Sequence, residues 1–336
     1  MKLPRNLIAP LAVLAAILIF DFLFTPGFFH LVWRDGRLQG SLVDILNRAA
    51  PVQILAVGMT LVIATGGVDL SVGAVMAISG AVAAALLAAA EKSPGHRSIG
   101  QSVPLVVLTS LACGLGCGVW NGFLVSFMEL QPIVATLLLM VAGRGIAQLI
   151  ADGQIVTFGN EPFSHIARGA VFVVPNPVWI ACALGLLAAL LVRATSLGLF
   201  LEAVGGNARA SKLSGIDARR VKMAAYAVCG FGASIAGIIA TADIKAADAN
   251  NVGLYLELDA ILAVAIGGTS LYGGRFSLAG SAIGAILMQA LTTTILSKGV
   301  PPPATLVLKA IVVIVVCLFQ SPNFAAWRAR AKGLPA

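Results

Sequence analysis

Charge is scarce in this sequence. Only 11% of its 336 residues are Asp, Glu, Lys or Arg, against 59% that are hydrophobic. A soluble domain carries roughly 25% charged residues, so the chain reads as a membrane protein. Histidine is scarcer still: His30, His96 and His165 are the whole supply, and they lie in different loops. No intramembrane series of Asp, Glu and His resembles a proton relay, which counts against coupling to an ion gradient. The five cysteines (Cys113, Cys117, Cys182, Cys229, Cys317) all fall in apolar segments. They read as small buried hydrophobes, since no disulfide framework or metal-ligand set accompanies them. There is no G-x-x-x-x-G-K-[ST] loop to hold a nucleotide, and no G-x-S-x-G, H-E-x-x-H or C-x-x-C motif. An enzyme reading therefore has nothing to stand on. The net charge of +8 does not point to nucleic acid either. Its basic residues sit in short loops without interleaved aromatics, where they set topology and meet lipid headgroups.

What is present is a series of apolar runs near the ~20 residues that cross a bilayer as helix. They cover 7–25, 49–66, 70–90, 103–127, 132–151, 174–192, 221–241, 259–272, 275–297 and 304–320. The first ends in Phe-Leu-Phe-Thr-Pro rather than at a small-residue cleavage site, so it reads as a retained span. About ten crossings, some short or broken, predict an all-α polytopic membrane protein with a single transmembrane domain over 1–336. An even count returns both ends to one side, and both ends are basic: Lys2 and Arg5 at the start, Arg328, Arg330 and Lys332 at the finish. The positive-inside rule puts them in the cytoplasm, although the loop 26–48, with Arg34, Arg37 and Arg48, then falls outside.

Between the sixth and seventh spans lies the longest polar interruption, residues 193–222. It carries Arg193, Arg209, Lys212, Arg219, Arg220 and Lys222 against Glu202 and Asp217. Its charge keeps it cytoplasmic, and its composition favours a short helix held outside the bilayer between two spans. The opposite side receives the acidic, Asn-rich loop 242–258, with Asp243, Asp248, Asn250 and Asn251. Such a loop either docks an external protein, admits a polar solute or is a solvated connector.

Two stretches share the pattern G-G-x-x-L-x-x-G: GGVDLSVG at 66–73 and GGTSLYGG at 267–274. Glycine breaks in corresponding positions of two halves point to a transport pathway, because unwound backbone at membrane depth needs protein or water around it. That marks Gly66, Gly67, Asp69, Ser71, Gly267 and Gly268 as candidates. Asn121, the pair Arg144 and Gln148, and Gln289 are further intramembrane polar residues, whose alternative role is to bond neighbouring helices. Glycines at small spacings (Gly114, Gly116, Gly118; Gly230, Gly232, Gly237) read as helix-packing positions.

The stretches 58–80, 120–137, 202–217 and 257–285 resemble, in order and over nearly the whole chain, the permease subunits of ribose-type ABC sugar importers. The segments 45–51, 139–158 and 242–251 are similar to those of galactofuranose-importer permeases in particular. The resemblance implies a non-catalytic subunit that works by alternating access in the bacterial inner membrane. It implies a cytoplasmic ATPase that carries the ATP, a second permease subunit (related or identical) and an external sugar-binding protein, with no cofactor on this chain. It also makes 205–217 the coupling helix, entered through a loop motif that begins at Glu202, with Glu202, Ala203, Gly205, Gly206, Asn207, Arg209 and Lys212 coupling to the ATPase. Gly215 would end that helix in a left-handed cap. An ion-coupled transporter and a structural scaffold are the competing classes; the missing relay and the basic helix favour the importer.

Overall fold

The computed structural model describes residues 5–34, 37–92 and 99–320. Lys2, Arg328, Arg330 and Lys332, used above for topology, lie outside these, as does His96. In chain order the helices are α1 (Arg5–Phe24), α2 (Ser41–Ala64), α3 (Val72–Lys92), α4 (Val103–Ser126), α5 (Pro132–Ile150), α6 (Glu161–Arg168) and α7 (Asn176–Ala194). Then come α8 (Leu197–Gly206), α9 (Ala208–Leu213), α10 (Ala218–Ile244), α11 (Leu256–Ile266), α12 (Leu278–Ser297) and α13 (Pro302–Gln320). Among the described residues strand occurs only as antiparallel pairs: β1 (Val32–Arg34) with β2 (Arg37–Gln39), β3 (Val156–Thr157) with β6 (Ala246–Ala247), and β4 (Ala170–Val171) with β5 (Val174–Pro175). The protein is all-α and polytopic.

Seven helices, α2, α3, α4, α5, α7, α10 and α12, are long and apolar enough to cross a membrane. The count of ten is not reached by that measure among the described residues. The apolar parts of α1 and α13 are the shorter Pro10–Phe24 and Pro302–Ile314. Helix α11 has 11 residues, about 16 Å of a ~30 Å layer, and gives way to the second glycine stretch. The second run also starts earlier than expected. Helix α2 begins at Ser41 rather than 49, so Asp44 and Arg48 ride on it instead of in a loop. A carboxylate in the first turn suits the positive helix N-terminus, which an apolar-run reading misses.

Contacts between connections sort the helix ends into two groups. At one end Glu129 pairs with Arg219 at 2.8 Å, and the Gly274 amide donates to the Ala64 carbonyl at 2.9 Å. At the other, the Gly159 amide donates to Glu91 at 2.8 Å, Lys245 pairs with Glu161, Arg168 donates to the Asp243 carbonyl, and Lys298 donates to the Phe24 carbonyl. The basic stretch 193–222 belongs to the first end; Asp243 and Lys245, where 242–258 begins, belong to the second.

Helix α10 is central and packs on α2, α3 and α4. Its seam with α4 depends on absent side chains: a Cβ on Gly118 would lie 2.4 Å from the Tyr226 carbonyl, and one on Gly230 would lie 2.4 Å from that of Gly114. Close approach of backbones replaces the hydrophobic drive that lipid cannot supply. Gly116, by contrast, faces open space.

Candidate coupling junction and outer cleft

The two glycine stretches are connections at the end of the molecule that holds 193–222. The first joins α2 to α3 and the second joins α11 to α12. In the first, Gly66 (φ 79°) turns the chain out of α2, a conformation glycine adopts without strain. Asp69 is 1% exposed and Ser71 and Asn121 are fully buried. The Asp69 Oδ1 accepts from the Ser71 amide (2.9 Å), the Ser71 hydroxyl (2.6 Å) and Asn121 Nδ2 (3.4 Å), while Asn121 also donates to Ser71 Oγ (2.8 Å). The Val68 carbonyl receives Tyr226 Oη at 3.3 Å and Thr136 Oγ1 at 3.4 Å. Helices α4, α5 and α10 thus hold the connection in one shape. Within the subunit these three polar side chains brace the break and face no opening. Gly66 and Gly268 are exposed, whereas Gly67 and Gly267 are buried, Gly67 beneath Tyr226 and Gly267 against Gly280. Tyr226 and Thr136 were not visible as partners in the sequence, because neither is near the motif in the chain.

The coupling helix expected over 205–217 starts on the last two residues of α8 and continues as a separate helix, α9. Asn207 ends α8 and caps α9, its Oδ1 accepting from the Ala210 amide at 3.0 Å. Asparagine is among the best N-caps, and that preference splits the segment here. Helix α8 is apolar and sinks Leu201 and Val204 into the protein. Helix α9 projects: Arg209 and Lys212 are exposed and Leu213 is 91% exposed. Gly215 (φ 84°) closes α9, with Gly215 N bonded to the Lys212 carbonyl and Ile216 N to that of Ser211. This is the paired-bond left-handed cap that glycine favours. Glu202, Gly206 and Asn207 are exposed and Ala203 is half-buried.

Gly205 lies at the meeting point. A Cβ there would fall 1.8 Å from the Ala64 carbonyl oxygen and 2.4 Å from the Gly274 amide nitrogen. A Cβ on Gly273 (φ 91°) would in turn lie 2.9 Å from the Gly205 carbonyl and 3.0 Å from the Gly66 amide. Backbone alone therefore joins α8 to the last residue of α2 and to the second glycine connection, and the second connection to the first.

The 242–258 segment, which starts at the other end and runs back as far as Gly73, is no simple solvated connector. β6 pairs with β3, and Gly253 (φ 71°) is packed on Gly73, where a Cβ would lie 2.5 Å from the Gly73 carbonyl. Arg144 donates to the Ala249 and Val252 carbonyls, and Gln148 to Asn250 Oδ1 (2.6 Å), so this pair on α5 anchors the loop. Asp248 accepts from the Asn251 side chain (2.6 Å) and from the amides of Asn250 and Asn251. The Asn251 amide group, then these two backbone donors, hold its carboxyl below the usual carboxylate range. Asp243, Asp248 and Asn251 line part of a cavity of about 340 Å³ whose other walls include Pro51, Ile239 and Val252, with Asn250 outside it.

Two interactions within helices escaped the sequence reading. Lys309 on α13 pairs with Asp259 on α11 at 2.9 Å, with both side chains mostly buried. Fully buried Asp21 on α1 accepts from Thr294 on α12 at 2.6 Å.

An all-α, multi-pass chain whose exposed short helix is tied through backbone to paired membrane breaks has the build of a transporter's membrane subunit. It belongs to the family described as branched-chain amino acid transport system / permease component, which matches residues 41–317. The chain is 54% identical over 314 residues to the galactofuranose transporter permease protein YtfT of Escherichia coli, covering 94% of this chain and 89% of that one. It is 42% identical over 343 residues to the fructose import permease protein FruF of Bifidobacterium longum (99% and 94%). To the ribose import permease protein RbsC of Escherichia coli it is 35% identical over 321 residues (94% and 93%). No solved structure matches it. The chain is a multi-pass permease of the bacterial inner membrane.

Proposed function

We propose that this chain is the non-catalytic translocation subunit of an ATP-driven ABC importer for a monosaccharide of the galactofuranose type. The observation that carries the proposal is the junction at Gly205: a projecting, basic helix leads through α8 into backbone contact with the end of α2 and with the second glycine connection, which in turn meets Gly66 of the first. Something that pushes on α9 moves the breaks. The relatives named for galactofuranose, fructose and ribose supply the substrate class, and the first of them the finer choice. In this reading a cytoplasmic ATPase binds the ATP, seats α9 in a groove and contacts Arg209, Lys212, Asn207, Gly206 and Glu202. Ala203, Gly205 and Gly215 shape the two helices. Gly66 and Gly268, exposed, face the path between this subunit and a second permease subunit. Gly67, Gly267, Asp69, Ser71 and Asn121 hold that wall in shape. The outer end, with Asp243, Asp248, Asn250 and Asn251, receives an external sugar-binding protein. Alternating access then follows as rocking of the two subunits about their interface.

Affinity purification from the native membrane, with identification of the co-purifying subunits, tests this. An ATPase and a second permease are expected, and Arg209→Glu should lose the ATPase. A chain that purifies alone and takes up sugar in vesicles on a proton or sodium gradient would replace this reading with a secondary transporter.

A further inference from the structure

The outer end of the subunit contains a second cavity beside the first. The one described above is lined by Asn47, Arg48, Asp243, Asp248 and Asn251, among others, and its neighbour, also about 340 Å³, by Asp44, Asn47 and Asp243. The two share Asn47, Ala167 and Asp243, so together they form one polar cleft between the start of α2, the end of α10 and α6. Each half reaches the low end of the ~300–1,000 Å³ typical of small-molecule sites.

We infer that this cleft holds one monosaccharide within a single subunit, as a stop between the binding protein and the membrane path; the inference rests on the sugar-importer reading above. The wall chemistry selects the ligand. Three carboxylates (Asp44, Asp243, Asp248) outnumber the Arg48 and Arg168 guanidiniums that line the same cleft, which disfavours an anion. The two guanidiniums beside the carboxylates disfavour a simple cation. A neutral ligand with several hydroxyls, each able to donate and accept, matches such a mixture. Asn47 sits where both halves meet, and its buried Oδ1 has no hydrogen-bond partner. One turn on, Pro51, which also lines the cleft, has no N–H to give the Asn47 carbonyl. Asp44 and Asp243 are exposed, so their carboxylates can reach a ligand in the cleft. The floor is not loose: Val252 and Gly253 form part of it, and Arg144 and Gly73 hold these two residues from the other side. No aromatic ring lines either half. A site without that stacking surface binds weakly and releases readily, as a transit site must.

The test uses the purified assembly in proteoliposomes with radiolabelled D-galactose, and D-ribose and D-fructose in parallel. Asn47→Leu and Asp243→Asn are compared with Gly116→Ala, which lies outside the cleft and whose added Cβ meets nothing within 4 Å. Both cleft variants should raise the KM for uptake about 10-fold, a loss of ~1.4 kcal/mol in affinity, with kcat nearly unchanged. Gly116→Ala should leave KM as it was. Asp243→Asn keeps the side-chain size and the main-chain carbonyl that Arg168 bonds, so it reports even if Asn47→Leu fails to insert. Wild-type KM in Asp243→Asn would overturn the cleft and leave the importer reading intact. Failure of the wild-type assembly to take up any of the three sugars, with an ATPase present, would overturn both.

Discussion

The amide of Gly274 donates to the carbonyl of Ala64 across 2.9 Å, so the connection after α11 is bonded to the last residue of α2. Gly205 fits against both partners of that bond with no room for a side chain. Gly205→Ala should therefore cost about 1–3 kcal/mol through overpacking, read as a lowered thermal midpoint in detergent. Its neighbour gives the control. A Cβ on Gly206 meets nothing within 4 Å, so Gly206→Ala should leave the midpoint unchanged. Equal effects at the two positions would remove the junction as a distinct feature.

Leu213 is 91% exposed on α9. Leu213→Asp should leave stability within ~0.5 kcal/mol, as surface changes do, while abolishing retention of the ATPase in the pull-down. Retention at the wild-type level would place the ATPase contact elsewhere.

Asn121 reaches both Ser71 and Asp69 from α4. Asn121→Leu should destabilise by about 1–3 kcal/mol, because Asp69 stays buried with fewer donors. A double-mutant cycle with Ser71→Ala should show coupling above ~0.5 kcal/mol. Additive effects would mean that the two side chains act independently.

Removing Lys309 strands Asp259 in a mostly buried site. Lys309→Met should cost about 3 kcal/mol, and the double variant with Asp259→Leu should recover most of it. Thermal midpoints of the three variants decide this.

Asp248 is held below its ordinary value of 3.8 by the Asn251 amide group and two backbone amides. A carboxylate with a lowered folded value stabilises the fold above its ordinary value and loses that contribution as pH falls through the lowered one. Hydrogen exchange at the Asn250 and Asn251 amides should stay slow down to pH 3.8 and accelerate only below it. Acceleration at higher pH would point to a different lock on the loop.

Local chemistry was the legible part of this protein. The Gly66 turn, the Gly215 cap and the Gly118 and Gly230 seam each follow from what glycine does within a few residues or at a helix face. The split at Asn207 carried a readable signal, a strong N-cap residue before Ala-Arg-Ala, which the expectation of a single helix overrode. What could not be read were pairings between distant segments. Gly205 meets Ala64 and Gly274 only once α2, α8 and the second glycine stretch are packed, and nothing in their spacing announces it. Lys309 and Asp259 are likewise 50 positions apart, on helices whose apolar runs hid the pair. The cleft escaped because Asp44, Asn47 and Arg48 seemed to lie in or beside a loop, and became a wall only when α2 proved to begin at Ser41.

The junction of Gly205, Gly66, Gly273 and Gly274 contains no side chains, and so no rotamers. Side chains act as springs: they swing between wells and absorb small displacements before passing them on. Peptide planes in direct contact have no such slack. A displacement of α8 reaches both connections together, like a rigid coupling without backlash, and neither can move far while the other stays still.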